Sequence, residues 1–211
     1  MIAVSRRLAL ALGGAAVLVP RLAFAAAALG ALAPGFQAMD ADGHSRALSD
    51  FIDKTIVLEW TSSGCPYSGK HYGSGNMQNL QRKAVKDGVV WLTISSSAPD
   101  REGYFTPQIA RAWRAKVGSH ATAILLDSEG KIGRAYGART TPHMFVIDGT
   151  GRIVYMGGID DRPYSDPASL KGAKNYVANA LADLKAGRSV ADPVTAPYGC
   201  SVRYASATGF Q

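Results

Sequence analysis

The chain has 211 residues, 47% of them hydrophobic and 18% charged, which is the composition of one globular domain and excludes a wholly disordered chain. Its net charge of +7 includes Arg6, Arg7 and Arg21 in a leading stretch without acids, and beyond that stretch 20 basic residues face 16 acidic ones. Those cations are interleaved with acids, which argues against a nucleic-acid partner, and two cysteines exclude a dense disulfide framework.

Residues 1–25 follow the order of an export signal. Arg6 and Arg7 precede an apolar run from Leu8 to Val19, and Ala23-Phe24-Ala25 sets small residues where a signal peptidase reads, predicting cleavage after Ala25. Ser5-Arg6-Arg7-Leu8 resembles a twin-arginine signal. An uncleaved anchor is the rival, but Arg21 divides the apolar stretch into pieces too short to cross a bilayer. The expected product is a periplasmic protein with no stable membrane span, in a compartment that permits disulfides. Residues 26–33 read as a linker, 34–186 as the folded domain and 187–211 as a tail.

Thr55-Ile-Val-Leu-Glu-Trp60 has the apolar, β-branched character of a buried strand. Cys65-Pro66 opens a helix, since proline suits the first helical position; Cys65 is then the N-cap. The helix is expected to break at Gly73-Ser74-Gly75 and resume with Met77, Leu80, Ala84 and Val85 on one face. A strand follows at 89–94, then a helix from Thr106-Pro107 with Ile109, Trp113 and Val117 inward, a strand at 121–126 and a short helix at 132–136. Beyond Thr140-Thr141-Pro142, strands at 144–147 and 153–155 flank a turn at Asp148-Gly-Thr-Gly151, the pattern of a hairpin. Leu170, Ala173, Val177, Leu181 and Leu184 form one face of a last helix closed by Gly187. This order gives an α/β fold, a central mixed sheet with helices on both faces.

Cys65 carries the chemistry. A thiol at a helix N-terminus sits beside unpaired N–H groups and the positive end of the helix dipole, which favour the thiolate. The only other sulfur that could partner it is Cys200, in Pro197-Tyr-Gly-Cys200 on the tail. A tail with few apolar residues reads as mobile and able to bring Cys200 to Cys65. The same pair as a permanent bridge would stabilise the fold by about 5 kcal/mol in the loop-entropy picture. The four histidines are isolated, so no metal set is expected, and no phosphate-cradling loop or other cofactor signature is present.

Cys-Pro at a helix start, Thr-Pro before a hairpin and a terminal helix together resemble the thioredoxin fold. Pro34-Gly35-Phe36, Asp42-Gly43 and Leu48-Ser49-Asp50-Phe51 resemble the lead-in of its redoxin and peroxiredoxin branch. The chain is most similar to the peroxiredoxin-like group with Cys-Pro-Tyr-x-x-Lys-His-Tyr and a late Gly-Cys. The resemblance implies that Cys65 is the nucleophile, that Ser68 replaces the second thioredoxin cysteine, and that Glu59 is the buried proton-handling carboxylate. It implies a cis Pro142, with Thr141, Pro142, Pro66 and Tyr67 lining the substrate groove, and a hydroxyl from Ser62 three residues before the nucleophile. The peroxidase arginine falls on Pro142 and is missing.

The implied activity is that of an exported thiol oxidoreductase. Its partners are a protein or small-molecule disulfide, or a peroxide, with an external thiol as reductant, and Cys200 is available to resolve Cys65. The alternative is a peptide-binding module that pairs an extended chain at the groove. Other residues have blander readings: Glu59 as a strand carboxylate paired with a lysine, His71 as a helix-surface residue, His143 as facing either way, Arg139 as a solvated loop cation, and Trp60 and Tyr67 as packing.

Overall fold

The computed structural model describes residues 26–206. The expected export signal and its cleavage site at Ala25 lie outside the described residues.

A five-stranded mixed sheet in the order β5-β4-β3-β7-β8 forms the centre. Strands β3 (Ile56–Trp60), β4 (Val90–Ser95) and β5 (Ala123–Leu126) run parallel, while β7 (His143–Ile147) and β8 (Ile153–Gly157) add antiparallel neighbours. Every residue of β3 is buried, as a central strand covered on both faces requires. A small hairpin of β1 (Gln37–Met39) and β2 (Ser45–Ala47) precedes the sheet.

Helices α1 (Pro66–Gly73), α2 (Asn76–Lys86), α3 (Pro107–Val117) and α5 (Tyr176–Lys185) supply Tyr72, Met77, Leu80, Trp113 and Val177 to the core on one face of the sheet. On the other face α4 (Lys131–Tyr136) packs Ile132 and Tyr136 against Trp60 and Phe145, beside Phe36 and Leu48 of the lead-in. The hairpin turn is fixed by Asp148, whose Oδ1 accepts the Thr150 N–H at 2.9 Å.

Four positions expected on inward helix faces differ. Ile109 is 46% exposed, because Ala110 and Trp113 set the inward stripe of α3, and Val85 is 41% exposed beside buried Ala84. The last helix starts only at Tyr176, where Asn175 Oδ1 caps the Ala178 N–H at 2.8 Å, so Leu170 and Ala173 precede it.

Both segments read as outlying are bound to the domain. In the stretch read as a linker, Ala27, Gly30 and Ala33 donate backbone hydrogen bonds to Ala135, Ile153 and Gly151. The tail, read as mobile, runs back along the sheet: Thr195 N donates to Met156 O at 3.1 Å, Val202 N to Arg139 O at 2.9 Å, and Ala98 N to Arg203 O at 2.8 Å. Its residues Cys200–Ser201 form β9, antiparallel to β6 (Thr140–Thr141). Ala41 N bonds to Ile124 O on β5, and Met156 N on β8 bonds to Pro193 O, so both outer strands of the sheet carry a further main-chain partner. Among the described residues no helix is long and apolar enough to cross a membrane.

Candidate active site

The turn after β3 delivers Cys65 to the N-cap of α1 with extended backbone (φ −78°, ψ 118°) and Pro66 directly behind it. Its N–H meets the Ser62 carbonyl at 3.3 Å, and its carbonyl accepts Gly69 N at 2.8 Å. The side chain is 4% exposed, and its Sγ donates to the Thr141 carbonyl at 2.9 Å. The Thr141–Pro142 bond is cis. The helix start and the β6 end of the hairpin unit thus converge on one sulfur.

Strand β9 brings the second sulfur. Cys200 stands opposite Thr141 in the β6–β9 register, and Thr141 Oγ1 donates to Cys200 O at 3.4 Å. Both cysteines are free, Cys65 buried and Cys200 half-buried. Burial pushes the Cys65 thiol up, but hydrogen bonding to Cys200, to the Thr141 side chain and to the Ser68 backbone outweighs it and leaves the thiol below its ordinary value. Burial, then the neighbouring Cys65, pushes Cys200 up to about 12. The pair is therefore asymmetric: ionisation is favoured at Cys65 and opposed at Cys200.

The remaining expected residues divide. Pro66 is exposed and Tyr67 half-buried, with the Tyr67 ring 6.0 Å from that of Tyr198. Ser62 turns its hydroxyl to where a Gly103 Cβ would lie, so its carbonyl, and not its side chain, meets Cys65. Glu59 is fully buried. Its Oε1 accepts from Tyr72 Oη at 2.8 Å, and its Oε2 from Trp91 Nε1 at 2.8 Å, Gln81 Nε2 at 3.1 Å and Thr93 Oγ1 at 3.2 Å. Burial pushes its carboxyl pKa up against these four donors. Neither a lysine nor Cys65 is among its hydrogen-bond partners, so it joins α1 and α2 to the sheet. His143 lies on the α4 face: its ring packs 4.7 Å from Phe145, its Nδ1 accepts Arg139 N at 3.2 Å, and burial lowers its pKa to about 4. Arg139 is exposed.

A second polar cluster went unread in the sequence. Lys70 and His71, with side chains wholly buried, approach Asp160 at 3.8 and 3.9 Å. Tyr198 of the tail donates to Asp160 Oδ1 and accepts from Lys70 Nζ at 3.2 Å. Asn76 Nδ2 lies 2.8 Å from His71 Nδ1, which makes Nε2 the donor to Tyr198 Oη at 3.2 Å. Burial, reinforced by Lys70, drives the His71 pKa down to about 3, so the surface role expected for it is replaced by an interior one. The available signal was a Lys-His pair about one and a half turns beyond the first cysteine and a tyrosine two residues before the second. Among the described residues no group of His, Cys, Asp and Glu could hold a metal ion.

The chain is similar to known proteins in sequence and fold. The chain is 27% identical over 135 residues to the thiol-disulfide oxidoreductase ResA of Geobacillus kaustophilus, a span of 61% of this chain and 68% of that one. An uncharacterized conserved protein of Geobacillus kaustophilus superposes with TM-score 0.75 at 23% identity, over 86% of this chain and 94% of that one. The peroxidoxin BcpB of Mycobacterium tuberculosis does so with TM-score 0.54 at 18% identity, over 77% and 99%. Residues 29–156 match the family described as AhpC/TSA, more than half of the chain, and with its thioredoxin-like fold this chain belongs to the AhpC/TSA family.

Proposed function

We propose that this protein is an exported thiol oxidoreductase in which Cys65 is the nucleophile and Cys200 the resolving thiol. The observation that carries the reading is the pairing of a helix-cap thiol of lowered pKa with a second cysteine held opposite Thr141, the residue whose carbonyl accepts from Cys65. With a hydroperoxide, the Cys65 thiolate attacks one oxygen, the O–O bond breaks, and the alcohol leaves with a proton while Cys65 becomes a sulfenic acid. Cys200 then attacks that sulfur, water leaves, and a Cys65–Cys200 disulfide forms. With a small disulfide, Cys65 forms the mixed disulfide and expels one thiolate, and Cys200 expels the other. In both cases two electrons pass to the oxidant, and an external dithiol restores them. Burial and the neighbouring Cys65 both oppose ionisation of Cys200, and oxidation of Cys65 removes the second of these, which favours attack by Cys200 after Cys65 has reacted. The expected signal at residues 1–25 supports delivery to the periplasm.

Stopped-flow mixing of the reduced protein with hydrogen peroxide and, separately, with a small disulfide tests the reading. Cys65 is expected to react at least tenfold faster than free cysteine, with a thiolate midpoint at 240 nm below the usual value of about 8.5. Mass spectrometry is expected to find the Cys65–Cys200 bridge, and Cys200→Ser to halt at the sulfenic acid or mixed disulfide. A Cys65 no faster than free cysteine rejects the nucleophile, and unchanged turnover in Cys200→Ser rejects the resolving role.

A further inference from the structure

The main-chain edge at Thr141 is where an extended peptide would pair in a site of this kind, and in this molecule the edge is taken. Strand β9 pairs Cys200 with Thr141 and Ser201 with Thr140, and the pairing continues through Val202 N to Arg139 O at 2.9 Å. The approach is close. A Cβ on Gly199 would lie 2.0 Å from the Thr141 carbonyl oxygen, and Gly199 has φ of 134°, a conformation that L side chains rarely adopt. On the other side of Gly199, the half-buried Tyr198 has its hydroxyl held by buried Asp160, Lys70 and His71. The tail thus sits as a substrate strand would, with its own cysteine at the attacking thiol.

We infer that residues Tyr198–Val202 are a tethered occupant of the peptide groove, which restricts the intact protein to small oxidants and excludes extended polypeptide disulfides. This rests on Cys65 being the nucleophile. An incoming polypeptide would have to displace the β6–β9 pairing and pull Tyr198 from its buried partners before its sulfur could reach Cys65. A hydroperoxide or low-mass disulfide needs none of that backbone. The same occupancy argues against the peptide-binding module, whose ligand would compete for an edge already filled in cis at high effective concentration.

The test separates groove occupancy from resolution. In Cys200→Ser, which keeps the tail and leaves Cys65 as the only thiol, rates are measured with two disulfides that share a thionitrobenzoate leaving group. One is 5,5′-dithiobis(2-nitrobenzoate); the other is a ten-residue unstructured peptide with one activated cysteine. The ratio of peptide rate to small-probe rate is expected to be at least tenfold below that for free cysteine. Adding Gly199→Ala, or Tyr198→Asp, which sets a second carboxylate beside Asp160, is expected to raise the ratio at least tenfold, in step with faster amide exchange at Val202. A ratio equal to that of free cysteine in Cys200→Ser overturns the inference, as does a ratio unmoved by release of Val202. Protection of Val202 that survives both substitutions overturns it too, because the tail would not be held as described. A slow small-probe reaction with the ratio pattern intact counts only against the nucleophile reading.

Discussion

Two buried polar clusters lie near the same helix, and they are built differently. Around Glu59, every donor belongs to α1, α2 or β4, and both carboxylate oxygens are occupied by Tyr72, Gln81, Trp91 and Thr93. Around Asp160, one key donor, Tyr198, comes from the tail, and Asp160 Oδ2 is buried without a hydrogen-bond partner. A fully satisfied cluster is part of the cooperative core, whereas an incompletely satisfied one is costly to keep and easier to open. The contrast teaches that burial alone does not make a polar group structural. What matters is whether its partners can leave without the core.

The largest effect is expected from Glu59→Leu. Several donors would be left without an acceptor in a dry interior, at a cost of about 4 kcal/mol, read as a fall in urea unfolding free energy with one cooperative transition. Asp160→Asn strips the counter-charge from buried Lys70 and is expected to cost about 3 kcal/mol. Here the sharper readout is local: amide exchange at Val202 should accelerate far more than exchange in β3 or β4. Equal acceleration in tail and sheet would erase the distinction between the clusters.

Acid tests the same contrast. Burial lowers the folded pKa of His71 to about 3 and of His143 to about 4, from an ordinary value of 6.5. Below that ordinary value the unfolded chain takes up protons that the folded chain refuses, so stability falls as pH drops from 6.5 toward 4. Each histidine contributes a slope of about 1.4 kcal/mol per pH unit in that window. Carboxylates held low, such as Asp40 and Asp42, add their loss only near and below 3.8. Glu59, whose folded pKa is raised from 4.5, works in the opposite direction above that value, so urea titrations between pH 4 and 7 should show a net slope smaller than the two histidines alone would give, and His143→Gln should lower it further. The smallest effect is expected for Tyr204→Phe, which removes the 2.8 Å bond to the Ala138 carbonyl at a cost of about 1 kcal/mol, read as a small drop in the urea midpoint.

The sequence was legible where chemistry is local. Cys65-Pro66 announced a helix cap, Asp148–Gly151 a hairpin turn, and the apolar run at 55–60 a central strand, because each signal lies within a few residues. Glu59 was visible as a carboxylate in a strand, but its four partners are spread from Tyr72 to Thr93 and carry no common spacing. His71 looked like a surface residue because nothing in α1 itself covers it. The cover comes from Tyr198, 127 residues later, on a segment too poor in apolar residues to betray a docking face. The tail is held by main-chain hydrogen bonds and by polar anchors at Tyr198 and Tyr204, none of which leaves a hydropathy pattern.

The further main-chain partners of β5 and β8 also bear on how the protein behaves in concentrated solution. An open strand edge is a template on which a second chain can add. Here Ala41 covers part of one edge and Pro193 and Thr195 part of the other, and both covers lie outside the five-stranded sheet. Aggregation of this protein should therefore begin with fraying of the lead-in or the tail at full core stability. Conditions that loosen those peripheral segments, such as mild acid acting through His71, would turn the solution cloudy well before the sheet unfolds.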